Sequence, residues 1–90
     1  MNQQDVNRLV ALEIYKHCKI KNEPIYFSKL VEIFKGVIEK TDISISIDFL
    51  TDICMIDAEW IMIDGKWVRG IFVDDVYESC LKSMYTEAMK

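Results

Sequence analysis

The stretch Trp60-Ile61-Met62-Ile63-Asp64-Gly65-Lys66-Trp67-Val68-Arg69-Gly70-Ile71-Phe72-Val73 reads as two extended apolar runs joined at Asp64-Gly65. An Asp-Gly pair between such runs is a strong local sign of a β-hairpin, because both residues of a type I′ two-residue loop need positive φ. With Asp64 and Gly65 as the loop, Ile63 pairs with Lys66, Met62 with Trp67, Ile61 with Val68 and Trp60 with Arg69. Strand alternation then sets Trp60, Met62, Trp67 and Arg69 on one face and Ile61, Ile63 and Val68 on the other. A cation–π contact between Trp60 and Arg69 becomes possible, worth ~0.5–1 kcal/mol if exposed. Two apolar faces on one ribbon are unusual. One should cover a helical body, and the other then calls for a cover of its own.

Three helical patterns precede this hairpin and one follows it. Val6, Val10, Ala11, Ile14 and Cys18 share half of a helical wheel over Gln4 to Lys19, opposite Asp5, Arg8, Glu13 and Lys16. Leu9 and Leu12 fall on the polar side, either as stray exposed leucines or as a partner contact. Lys19 to Glu23 is a polar turn, and Pro24 to Phe27 is short and extended, since proline fixes its own φ and restricts its predecessor. Ser28 is the expected N-cap of a second helix carrying Leu30, Val31, Ile33, Phe34, Val37 and Ile38, weakened near its end by Gly36.

Lys40 to Ser44 reads as a polar break. Ile43 to Ile47 alternates with serine in a strand-like way, so strand or loop stays open there. A third helix is expected from Ser46, its cap, with Asp48 in the first turn and Phe49, Leu50, Ile53, Cys54 and Ile56 at helical spacing. After the hairpin, Asp74 and Asp75 cap a final helix. Val76, Tyr77, Cys80, Leu81, Met84, Tyr85, Ala88 and Met89 fill one half of its wheel, with Glu87 the single polar intruder. That stripe is wider than a helix needs merely to lie on a small body.

Ninety residues, half of them hydrophobic and 29% charged, fit one domain spanning 1–90 and leave little room for a second core. So small a domain gains from further burial, which favours self-association. No apolar run reaches the roughly 18 residues a membrane span requires. Met1 to Asn7 is polar and lacks the layout of a signal peptide, so the expected location is cytoplasmic. Cys18, Cys54 and Cys80 form no Cys-x-x-Cys pair and are expected to be small buried or half-buried thiols. His17 is the single histidine. A His-Cys metal site would need distant carboxylates, and His17 and Cys18 point about 100° apart on a helix, which disfavours a catalytic pair. No cofactor or metal is expected. There is also no glycine-rich phosphate loop and no nucleophile-base pair, so an enzyme is the least supported reading.

The order helix, short strand, helix, helix, hairpin, helix resembles that of the winged helix-turn-helix superfamily. The residues that carry the resemblance are Pro24-Ile25-Tyr26-Phe27-Ser28-Lys29-Leu30, similar to the first strand entering the second helix, and Asp57-Ala58-Glu59-Trp60-Ile61, similar to the junction between recognition helix and wing. Asp64 to Lys66 is similar to the wing tip. The resemblance implies an α+β, mainly helical fold: a three-helix core, a β-hairpin wing and an additional C-terminal helix. It further implies a small dimeric DNA-binding transcriptional regulator. Carried over, the nucleic-acid contacts would be Ser46, Thr51, Lys66, Trp67 and Arg69, with Asp48, Asp52 and Met55 also facing the groove. The homodimer would be held through the C-terminal helix by Tyr77, Leu81, Met84, Tyr85 and Met89.

Charge argues for an alternative. Residues 1–41 carry seven Lys/Arg against five Asp/Glu, whereas residues 42–90 carry four against ten, so the second part holds −6 within a total of −4. Phosphate binding needs fixed positive charge. The third helix, taken from Ser46, has no Arg, Lys, Asn or Gln to read base edges. The alternative expectation is therefore a winged-helix protein-protein interaction module that does not bind DNA. A dimer that gathers Lys16, Lys19, Lys21 and Lys29 would be the way to rebuild a basic surface.

Overall fold

The computed structural model of the chain describes residues 1–73 and 78–89. The expected caps Asp74 and Asp75, together with Val76 and Tyr77, lie outside the described residues. Helix α1 spans Gln3–Tyr15 and runs on through a wider π-helical turn, Lys16–Ile20. The Asn2 side chain accepts from the Asp5 amide at 2.8 Å, which occupies one of the amides a helix start leaves unpaired. Lys21 N–H closes the wide turn on Lys16 O at 2.9 Å, and Asn22, at φ 53°, turns the chain toward β1, Ile25–Tyr26.

Helix α2, Phe27–Ile33, follows β1 without a break. Ser28 is not its cap: Tyr26 holds that position, with no side-chain hydrogen bond. The helix is also shorter than the apolar spacing suggests. Gly36 at φ 82° ends the run, because the left-handed conformation is nearly free for glycine alone. Ile38 is still buried at 6% exposure, but beyond the helix.

Helix α3 covers Lys40–Asp52, so the expected polar break is its first turn and the Ile43–Ile47 alternation is helical. Ile43 and Ile47, four residues apart, both face the core, as the 3.6-residue period requires. Ser46 sits mid-helix rather than at the cap, which falls on Glu39. Asp42, not Asp48, lies in the first turn. The helix ends where Cys54 takes φ 62° and Met55 N–H bonds back to Leu50 O at 3.0 Å.

The hairpin begins earlier than Trp60. β2 runs Ile56–Ile63 and β3 runs Lys66–Val73, so Ile56 and the Asp57–Glu59 segment are strand. The pairing is as the loop dictates, from Ile63↔Lys66 through Trp60↔Arg69, and continues to Ile56↔Val73. Asp64 and Gly65 take φ 51° and 77°. β1 pairs with β3 at Ile25↔Ile71 and Tyr26↔Gly70, which gives an antiparallel sheet ordered β1-β3-β2. Helix α4, Glu78–Ala88, completes the chain and lodges Leu81 in the core.

A single apolar cluster joins these elements, with Ile14, Ile25, Leu30, Ile43, Ile47, Ile56, Ile71 and Leu81 essentially inaccessible. Each such side chain contributes about 1.5–3 kcal/mol by leaving water. The fold is α+β and mainly helical, with a three-helix core, a hairpin and a C-terminal helix, and it is compatible with a winged helix. No helix among the described residues is long and apolar enough to cross a membrane.

Candidate functional site

The outer surface of α3 and the distal half of the hairpin form one continuous region. On α3 the buried side is Ile43, Ser46, Ile47 and Leu50, which turns Thr41, Ile45, Asp48, Phe49 and Asp52 to solvent. Lys40 is the only Lys or Arg in α3, and it stands at the first position. Ile45, Phe49 and Ile53 are 48%, 46% and 40% exposed. Phe49 and Ile53, grouped by helical spacing with Leu50 and Ile56, thus part from them: Leu50 and Ile56 are buried and these two are exposed. With the helix begun at Lys40, Ile43 and Ile47 enter the wheel and fix its buried side, with Ile45 opposite them.

The hairpin is longer than the body it covers. On the inward face Ile56, Ile71 and Val73 are buried and Ala58 packs against the core. The same face continues past the helices as Trp60, Met62 and Trp67, which are 67%, 54% and 63% exposed. Arg69 lies among them, yet its guanidinium Nη2 reaches Asp48 Oδ1 on α3 at 3.3 Å. The contact with the Trp60 ring that its position would allow gives way to this ion pair. A shallow groove lined by Phe27, Ser28, Ser44, Trp60, Trp67 and Arg69 runs between α2, α3 and the hairpin. Across α3, a second groove has Ala11, Phe49, Leu50, Ile53, Met55 and Met84 along it.

Of the five expected nucleic-acid contacts, Trp67 and Arg69 share the groove beside α2, and the other three lie apart from it. Ser46 is fully buried and its hydroxyl has no hydrogen-bond partner, so it cannot meet a ligand. Thr51 donates its hydroxyl to Ile47 O at 2.7 Å, a local helix bond. Lys66 and Trp67 are exposed on the hairpin, and Arg69 is paired with Asp48. Of the other groove-facing candidates, Asp48 and Asp52 are exposed, whereas Met55 lies beyond the helix and packs against the core.

The expected dimer residues separate in a similar way. Tyr77 lies outside the described residues. Leu81 is taken wholly by the protomer's own core. Met84 and Tyr85 pack against that core, with the Tyr85 ring centroid 5.4 Å from that of Tyr15. Of the four that are described, Met89 alone is broadly exposed, at 68%.

Two further side chains have structural surroundings. His17 is buried, its Nε2 3.2 Å from Glu13 Oε1 and its Nδ1 3.9 Å from Glu23 Oε2. Cys18 is half-buried, and its Sγ donates to Ile71 O at 3.6 Å. Burial pushes its thiol above the ordinary value, a shift eased by a Val73 backbone hydrogen bond and the charge of Lys19. It is held as a neutral thiol and is a poor nucleophile. Cys54 and Cys80 are exposed rather than half-buried. Among the described residues, no three His, Cys, Asp or Glu side chains are grouped to hold a metal ion.

No family model matches the chain, and no curated protein matches it.

Proposed function

We propose that the chain is a protein-interaction module on a winged-helix-like scaffold and does not read duplex DNA. The observation that carries this reading is the outward face of α3, where Thr41, Ile45, Asp48, Phe49 and Asp52 are exposed. A groove-reading helix presents donors to base edges and cations to phosphates. This one presents two carboxylates and two large apolar side chains, which disfavour a polyanion and suit a protein surface. The hairpin adds little electrostatic footing for DNA, since Arg69 is already neutralised by Asp48 and Lys66 stands alone beside it. Exposed Trp60, Met62 and Trp67 are of the residue types that anchor protein interfaces.

The reading is tested by titrating isotope-labelled protein with mixed-sequence duplex DNA at low salt and following backbone amides. Low salt gives the counterion-release contribution its largest value. No shifts are expected at residues 40–52 or 64–70. Shifts clustered there that fade as salt rises would make the chain a DNA-binding regulator.

A further inference from the structure

We infer that the free edge of β2 receives an extended segment of a partner protein in which lysine or arginine alternates with apolar residues. The inference rests on the reading of the chain as a protein-interaction module and names the chemistry of the partner.

The sheet order β1-β3-β2 leaves β2 at an edge over all eight of its residues. The loop has positive φ at both Asp64 and Gly65. Its flanking residues, Ile63 and Lys66, are then a hydrogen-bonded pair, and such pairs alternate along an antiparallel ladder. Asp57, Glu59, Ile61 and Ile63 therefore bond to β3. Ala58, Trp60 and Met62 turn their N–H and C=O groups outward, where an added strand can pair with them in series. β2 has no lysine, proline or glycine and its register with β3 is unbroken, so its backbone does nothing to block that pairing.

The edge is guarded by charge, and the guard is of one sign. Residues 41–65 carry Asp42, Asp48, Asp52, Asp57, Glu59 and Asp64 and no lysine or arginine. Asp48 is occupied by Arg69. Asp57, Glu59 and Asp64 are exposed and have no ion-pair partner among the described residues. Charged side chains on an edge strand discourage pairing with the wrong chain. Here they act against a second copy, whose β2 would bring the same carboxylates back to the same edge. They favour a cationic strand.

Asp57 and Glu59 stand two residues apart on the outer face, so a partner strand meets both with a cation at every second position. Those positions become the non-hydrogen-bonded pairs of the new ladder, about 4.5 Å apart between Cα atoms, where side chains approach most closely. The intervening partner residues fall on the other face, beside Ala58 and Trp60. Trp60 is 67% exposed, so apolar residues there remove ring surface from water. The outward backbone groups call for an extended segment, the outer face for its cations and the inner face for its apolar residues. All three demands meet in one alternating sequence.

The probe is the capped peptide Thr-Val-Lys-Val-Lys-Val-Thr, which reads the same in both strand directions. Titrated into isotope-labelled chain, it should bind with a dissociation constant of about 0.1–1 mM and move the Ala58 and Trp60 amides downfield as they gain acceptors. The same peptide with glutamate for lysine should not bind. Thr-Val-Val-Lys-Lys-Val-Thr, of identical composition with its lysines on opposite faces, should bind about tenfold more weakly. Asp57→Lys combined with Glu59→Lys, both at exposed positions, should weaken the first peptide by about tenfold and transfer binding to the glutamate peptide. That exchange of preference also shows the variant to be folded.

No binding of the first peptide up to about 5 mM would overturn the proposal, and so would equal binding of all three. Shifts confined to Phe27, Ser44 and Trp67, with the Ala58 and Trp60 amides unmoved, would overturn it by placing the peptide in the groove. Downfield movement of those two amides with chain concentration alone would give the edge to a second copy and overturn it as well. The module reading is decided by the duplex DNA titration instead, so each can fail while the other stands.

Discussion

Ser46 shows how far a residue's role depends on where its helix begins. As an N-cap its hydroxyl would bond a backbone amide. In mid-helix it is fully buried and unpartnered, a condition that costs about 1–3 kcal/mol. Alanine at this position also has the higher helix propensity, by up to about 0.7 kcal/mol. Ser46→Ala should therefore stabilise the chain by about 1 kcal/mol, read as a rise of roughly 4–8 °C in the thermal midpoint. An unchanged or lowered midpoint would mean the hydroxyl has a partner in solution. No other residue in α3 shifts its meaning so completely with a change of boundary. Arg69 is a milder case: sequence fixes its face of the hairpin, while its partner Asp48 depends on how α3 lies beside the sheet.

At the scale of elements, the hairpin register was legible because its cause is local. A two-residue loop that demands positive φ at Asp64 and Gly65 leaves one pairing for every residue after it. That dependence is measurable. Valine at Gly65, which sits at φ 77°, should cost about 1–3 kcal/mol in urea unfolding. Asp64→Asn should be close to neutral, since asparagine tolerates the same conformation. The helices were less legible where the usual punctuation is missing. α3 has no side-chain cap at Glu39, and a serine-isoleucine alternation hides a helix whose core contacts are Ile43 and Ile47. α2 has the opposite fault. Its apolar spacing continues through Val37 and Ile38, yet Gly36 in the left-handed region stops it. Capping failed as a guide in both, because Tyr26 and Glu39 cap without side-chain bonds.

The whole molecule decides which of two apolar stripes faces inward. The width of the α4 stripe led to an expected dimer seam, but a domain this small needs much of that stripe for itself. Leu81→Asp places a charge where no solvent reaches and should cost more than about 3 kcal/mol. For a domain whose total stability is of the order of 5–15 kcal/mol, far-ultraviolet circular dichroism should then show extensive unfolding rather than a folded monomer. Met89→Asp, at an exposed residue just past the end of α4, should leave the fold unchanged in the same measurement. The candidate surface was legible in part. Trp60, Met62 and Trp67 follow from the register, whereas exposed Ile45, Phe49 and Ile53 require the true start of α3. That the hairpin outreaches its helices is a property of no single element and could be seen only in the assembled fold.

The overhang has an optical consequence. Trp60 and Trp67 are the chain's two tryptophans, and both stand in water on the distal hairpin. Their emission should carry little information about the core, and a native sample should show the red-shifted spectrum usually taken for a denatured one. The same signal becomes a selective reporter of whatever covers that one surface.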